Sequence, residues 1–113
     1  MVTVETLLTI QNICRLNPRV EMCGLVTSPS NEVIQIKNAS KTPEHCFVFD
    51  KREYFKALNQ MAASGSSIAC IWHSHPEDNP EPSKADIDFV RLSKRNSLIV
   101  SATDHRWLEY APS

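Results

Sequence analysis

The chain has no excess of either charge: 12 Lys and Arg stand against 13 Asp and Glu in 113 residues. That balance leaves no electrostatic footprint for a nucleic acid. It has no apolar run near the ~20 residues that a membrane-spanning helix needs, so no membrane partner is expected. It has no basic stretch at its start, where MVTVETLLTIQN carries Glu5, so no secretory signal is read there. It has no C-x-x-C pair, and Cys14, Cys23, Cys46 and Cys70 are irregularly spaced. They read as reduced, mostly buried residues of a cytoplasmic protein rather than as a disulfide framework. Internal repeats, low-complexity segments and linkers are also missing. What is present, 42% hydrophobic and 22% charged residues, matches one globular domain spanning 1–113. That length suffices to bury a core without staples.

Local patterns give the elements. Residues 3–16 place Leu7, Ile10, Ile13 and Cys14 on one helical stripe, and Asn17-Pro18 ends it. Residues 22–27 form a short apolar strand. The turn residues Ser28-Pro29-Ser30-Asn31 join it as a hairpin to a strand containing Val33, Ile34 and Ile36. Residues 39–46 read as loop, and Cys46-Phe47-Val48-Phe49 as a third short strand. Asp50 is an N-cap for a helix to about Ala63 whose apolar face holds Tyr54, Phe55, Leu58 and Met61. Ser64-Gly65-Ser66 closes that helix. Ser67 to His75 is a buried central strand, Pro76 to Pro82 a long turn, and Ser83 starts another helix. A strand from Asn96 to Ala102 and an edge strand from Trp107 to Tyr110 complete the order α-β-β-β-α-β-α-β-β. The class is α/β (α+β), a mixed sheet packed with helices.

One stretch carries chemistry. His73 and His75 are two apart in a strand, so both imidazoles point to one face, about 7 Å apart along the backbone, and can converge on one ion. Pro76 ends the strand. Seven residues separate His75 from Ser83, which starts the helix holding Asp86 in its first turn. From there Asp86 can reach back to the histidines. A His, His and carboxylate set leaves a fourth position for water, the pattern of a catalytic zinc. Such a zinc brings the pKa of its water to about 7, but the water still needs a base. Glu21, at the start of an apolar strand, is available.

Glu21 in E-x-C-G-L, followed by H-S-H-P, seven residues from histidine to serine, and S-x-x-D, resembles the JAMM motif of the JAB/MPN metalloprotease family. The resemblance implies a curved mixed sheet flanked by helices, with a cytidine deaminase-like architecture. It also implies Zn2+ held by His73, His75 and Asp86, Glu21 as general base and then acid, and Ser83 as a donor to the oxyanion. The implied reaction is hydrolysis of a peptide or isopeptide bond. The substrate would be a peptide or protein, with a ubiquitin-like protein or a phage tail protein as candidates. Within the family, E-x-C-G-L with H-S-H-P and P-S-x-x-D resembles the N-terminal domain of phage tail assembly proteins similar to lambda tail protein K. That likeness opens a second class of function, a tail assembly module that keeps the metal site, and a virion-associated location. The cysteine peptidase domain that usually follows in those proteins is absent from this sequence. Nor does its length leave room for the insertions with which eukaryotic members grip ubiquitin.

Other readings of the same residues are structural. S-x-x-D is also a capping signature, with Ser83 at the N-cap and Asp86 in the first turn. Capping and catalysis are compatible, because Ser83 can accept through one lone pair and still donate its proton. Position 70 is an odd number of residues from 73, so Cys70 should face away from the histidines; both Cys70 and Cys23 read as buried small hydrophobes. Trp72 reads as core, and His45 and His105 as exposed. The acidic turn Glu77-Asp78-Asn79-Pro80-Glu81 reads as a solvated rim of the cleft, with basic or lysine-bearing substrates as the chemistry it would select.

Overall fold

A computed structural model describes residues 2–76 and 82–111. The acidic turn, residues 77–81, lies outside the described residues. The elements are α1 (Val4–Leu16), β1 (Cys23–Ser28), β2 (Val33–Ile36), α2 (Lys51–Ser64), β3 (Ser67–His75), α3 (Lys84–Ser93), β4 (Ser97–Ser101) and β5 (Trp107–Tyr110). The five strands make one mixed sheet in the order β2-β1-β3-β4-β5. Only β3 and β4 run parallel, and α3 forms the crossover between them. Among the described residues, no helix is long and apolar enough to cross a membrane.

The sheet separates two cores. On one face Ile10 and Cys14 of α1 pack against Val26, Cys70, Trp72, Leu98 and Val100. On the other, Ala57 and Met61 of α2 pack against Leu25, Ile36 and Ile71, with Phe89 of α3 beside them. Alternation along β3 sends Cys70 and Trp72 to the α1 side and Ile71 to the opposite side. The histidines at 73 and 75 follow Ile71. As the middle strand, β3 is covered on both faces from Cys70 to Ser74, which explains its near-continuous apolar run. Gly24 of β1 permits the close approach here. A Cβ there would collide with the Ile34 carbonyl oxygen and come within 2.7 Å of the Trp72 indole nitrogen.

Helix ends follow the sequence signals. The Thr3, Asp50 and Ser83 side chains each accept a backbone N–H three residues on. Gly65 closes α2 in the left-handed conformation at φ 73°. The hairpin turn places Asn31 at φ 56°.

Two expectations are corrected. Residues 46–49 are not a strand; the segment makes a single bridge, Asn38 with Phe49. The reason is competition for its backbone groups. The Asn38 side chain takes the Val48 N–H and the Cys46 carbonyl, which a ladder would otherwise use. Phe55 is 59% exposed rather than part of the α2 core face. The buried stripe is Tyr54, Ala57, Leu58 and Met61, at the i, i+3, i+4, i+7 spacing, and Phe55 falls beside it.

Candidate metal centre

The end of β3 and the start of α3 meet above the α2 side of the sheet. His73 is 1% exposed, and His75 is partly open at the strand's end. Asp86 enters as the third residue of α3, where a capping box fixes it. The Ser83 N–H donates to Asp86 Oδ2 (2.9 Å), and the Asp86 N–H donates to Ser83 Oγ (3.1 Å). The cap therefore aims the carboxylate back at the strand. Asp86 Oδ1 lies 3.1 Å from His73 Nε2, and Oδ2 lies 2.9 Å from His75 Nε2. The two Nε2 atoms are 3.3 Å apart.

One ligand atom from each of His73, His75 and Asp86 lies within 4.8 Å of the others, close enough for all three to meet one ion. The protonation states suit the same use. Burial lowers the His73 pKa and outweighs the nearby Asp86 carboxylate, which keeps the imidazole neutral. Burial opposes the Asp86 charge. Hydrogen bonds from His73, His75 and the Ser83 amide overcome it and hold the carboxyl well below the usual carboxylate range. A neutral imidazole and an ionised carboxylate are the forms that bind metal. The donor set thus fits a divalent cation with three protein ligands.

Glu21 lies in the segment leading into β1, 6% exposed, and its Oε1 has no hydrogen-bond partner among the described residues. Burial pushes its pKa up to about 7, the Asp86 charge adds to the rise, and His75 counters it. Four hydrogen bonds fix this segment. The Glu21 N–H donates to the Pro43 carbonyl (2.7 Å), and Asn38 Nδ2 donates to the Glu21 carbonyl (2.8 Å). The Met22 N–H donates to Ser74 Oγ (2.8 Å), and the Ser74 N–H donates to the Met22 carbonyl (2.9 Å). Ser74, between the two histidines, thereby registers the glutamate against them. Glu21, His75 and Ser83 line a cleft of about 150 Å³ together with Glu44, His45 and Pro76. Ser83 is exposed at its rim. A roomier hollow of about 650 Å³ beside the start of α1 shares no residue with the cleft.

The five residues singled out by motif thus collect in one place. The cysteines stay outside the group. Cys23 and Cys70 are buried, and burial pushes both thiols up to about 12. Cys14 rises to about 11 for the same reason. No reactive thiolate is available from these three. His45 and His105 are exposed, although His45 borders the cleft. Sequence patterns did not point to Ser74, Asn38 or Phe47. Ser74 faces away from the ligands, Asn38 follows a strand, and Phe47 hides in an apolar run that reads as a strand.

Comparison with known proteins adds independent findings. Residues 4–110 match the family model of prokaryotic homologs of the JAB domain. A protein of Haloferax volcanii named desampylase is 27% identical over 100 residues, which cover 80% of this chain and 72% of that one. A protein of Thermus thermophilus named as a probable TtuB-protein conjugate cleaving protease is 32% identical over 72 residues. That match covers 64% of this chain and 47% of the relative, so the chain spans less than half of it. Among solved structures, a Desulfitobacterium hafniense protein superimposes with a TM-score of 0.77 at 23% identity. It covers 96% of this chain and 79% of that one. A JAB1/MPN domain protein from Archaeoglobus fulgidus gives a TM-score of 0.63 at 20% identity, with 93% and 81% covered. At these identities the structural likeness is one of fold.

Proposed function

The chain belongs to the family of prokaryotic JAB-domain homologs, and from that premise we propose that it is a zinc-dependent isopeptidase. Its substrate would be a protein conjugate, in which the C-terminus of a small ubiquitin-like protein is joined to a lysine. The observation that carries this reading is the convergence of His73, His75 and Asp86 within 4.8 Å of one another, beside the buried Glu21. The names of the two relatives, one a desampylase and one a conjugate-cleaving protease, support the substrate class.

His73, His75 and Asp86 would hold the zinc. When bound, it would supply a Lewis acid that polarises a carbonyl and brings the pKa of water to about 7. The remaining steps belong to the chain. Glu21 takes a proton from the attacking water and returns it to the leaving amine. Burial raises its pKa in the metal-free chain, the direction that suits a base that must also return its proton. Ser83 Oγ already accepts the Asp86 amide, which leaves its own proton free for the oxyanion of the tetrahedral intermediate. The capping box keeps that hydroxyl at the rim of the cleft while it orients Asp86.

A tail-associated assembly role is the second reading. It rests on the likeness of E-x-C-G-L and P-S-x-x-D to phage tail proteins. The complete set of ligand-type residues, with a base beside it, favours the enzyme.

Hydrolysis of a fluorogenic lysine-linked isopeptide by the zinc-loaded protein tests the proposal. Glu21→Gln should keep the metal and lower kcat by about 10²- to 10⁴-fold. Full activity in that variant would remove Glu21 from the mechanism. Zinc-loaded protein with no hydrolysis of any isopeptide probe would favour the assembly role.

A further inference from the structure

The loop between β2 and α2 carries none of the five motif residues, yet two of its side chains reach them, besides the Pro43 carbonyl that takes the Glu21 N–H. The first is Asn38, whose side-chain amide is fully used. Oδ1 accepts from the Ser40 N–H (3.0 Å) and the Val48 N–H (3.1 Å). Nδ2 donates to the carbonyls of Glu21 (2.8 Å) and Cys46 (3.0 Å). The Ala39 N–H to Val48 carbonyl bond (2.7 Å) and the Asp50 N–H to Lys37 carbonyl bond (2.9 Å) add to this pinning. The returning limb of the loop, 46–50, is held against the outgoing limb.

The second is Phe47, which sits on that returning limb. Its ring stacks on the His73 imidazole, with centroids 4.7 Å apart and planes 28° from parallel. It also meets Phe89 of α3 edge-on at 5.3 Å, and Phe49 at 5.6 Å. Phe47 therefore wedges between β3, which brings the histidines, and α3, which brings Asp86.

A metal-binding imidazole usually has its plane set by an acceptor on its second ring nitrogen. His73 is 1% exposed, and its Nδ1 has no hydrogen-bond partner among the described residues. The contact that does lie across the face of the ring is Phe47. We propose that Phe47 is a positioning residue for the metal site. It fixes the His73 ring by stacking, so that Nε2 is presented to a divalent cation, a task usually done by a hydrogen-bond acceptor. The inference rests on reading His73 as a metal ligand. Phe47 acts through His73 and does not reach the reacting atoms.

Cobalt(II) is the probe, because its visible absorption reports both binding and coordination geometry. The full, metal-free chain is titrated with cobalt(II) alone. Phe47→Leu, which keeps apolar bulk and removes the ring, should bind cobalt about tenfold more weakly and change the visible band. Phe47→Tyr, which keeps the ring, should bind as wild type does. Phe49→Leu removes a ring from the same cluster without touching His73, and it too should keep wild-type affinity. Equal affinity in Phe47→Leu and wild type overturns the inference. So does equal weakening in Phe47→Leu and Phe49→Leu, which would mark general loosening. If Phe47→Leu does not fold, Asn38→Ala carries the test, because it frees the limb that holds Phe47. Weaker cobalt binding is expected there, and unchanged binding overturns the inference. Wild-type protein that takes up no cobalt overturns the metal-site reading and this inference with it.

Discussion

Two regions build the candidate site by different means. The segment from β3 into α3 works by short-range rules. Strand alternation pairs His73 with His75, and a capping box turns Asp86 back toward them. The region around Glu21 works by long-range ties. Asn38, Pro43 and Ser74 lie 17, 22 and 53 positions away, and their hydrogen bonds fix the segment that carries the glutamate. The difference teaches that the identity and spacing of a ligand set can be encoded in fourteen residues, whereas the setting of its base is a property of the tertiary fold.

The largest expected effect breaks the short-range region. Asp86→Ala removes a ligand and one half of the capping box together. Zinc affinity should fall at least about 100-fold, with loss of hydrolysis. Isothermal titration with zinc reads it, and a variant that bound zinc as the parent does would refute the assignment of Asp86.

A smaller effect strikes the long-range region. Asn38→Asp replaces the amide nitrogen, which donates to the carbonyls of Glu21 and Cys46, with a carboxylate oxygen that faces both. At saturating zinc, kcat should fall about tenfold with KM little changed, since both hydrogen bonds are lost and a carboxylate is set against two carbonyls. Wild-type kcat in this variant would show that Glu21 needs no such support.

The smallest effect is on stability. In the folded, metal-free chain the Glu21 pKa rises from 4.5 to about 7, so the native state holds its proton more tightly than the unfolded state does. The stability this contributes is fully present below pH 4.5 and is lost as pH rises through about 7. Glu21→Gln removes that loss. It should match the parent at pH 4.5 and exceed it by roughly 2 kcal/mol at pH 8 in urea unfolding. A variant no more stable than the parent at pH 8 would mean that the carboxylate is better solvated than its burial implies.

The same contrast governs what could be read in advance. Helix caps at Asp50 and Ser83, the turn at Asn31 and the facing of Cys70 and Trp72 all depend on neighbours within a few residues, and all were legible. The strand expected at 46–49 was not realised, because a side chain ten residues before Val48 occupies its backbone groups. Phe55 is a matter of helical angle, since counting apolar residues on α2 does not say which of two adjacent aromatics faces inward. Glu21 was singled out by resemblance; no local spacing ties it to His73. The partners that hold it, Asn38 and Ser74, belong to no motif and became visible only once the sheet was assembled.

The central claim is that two imidazoles and one carboxylate share a single zinc. X-ray absorption at the zinc edge, on protein loaded with one equivalent, tests it directly. The account predicts full uptake and a shell of nitrogen and oxygen atoms at about 2.0–2.1 Å. A sulfur neighbour at about 2.3 Å, or a purified chain that retains no zinc, would contradict it.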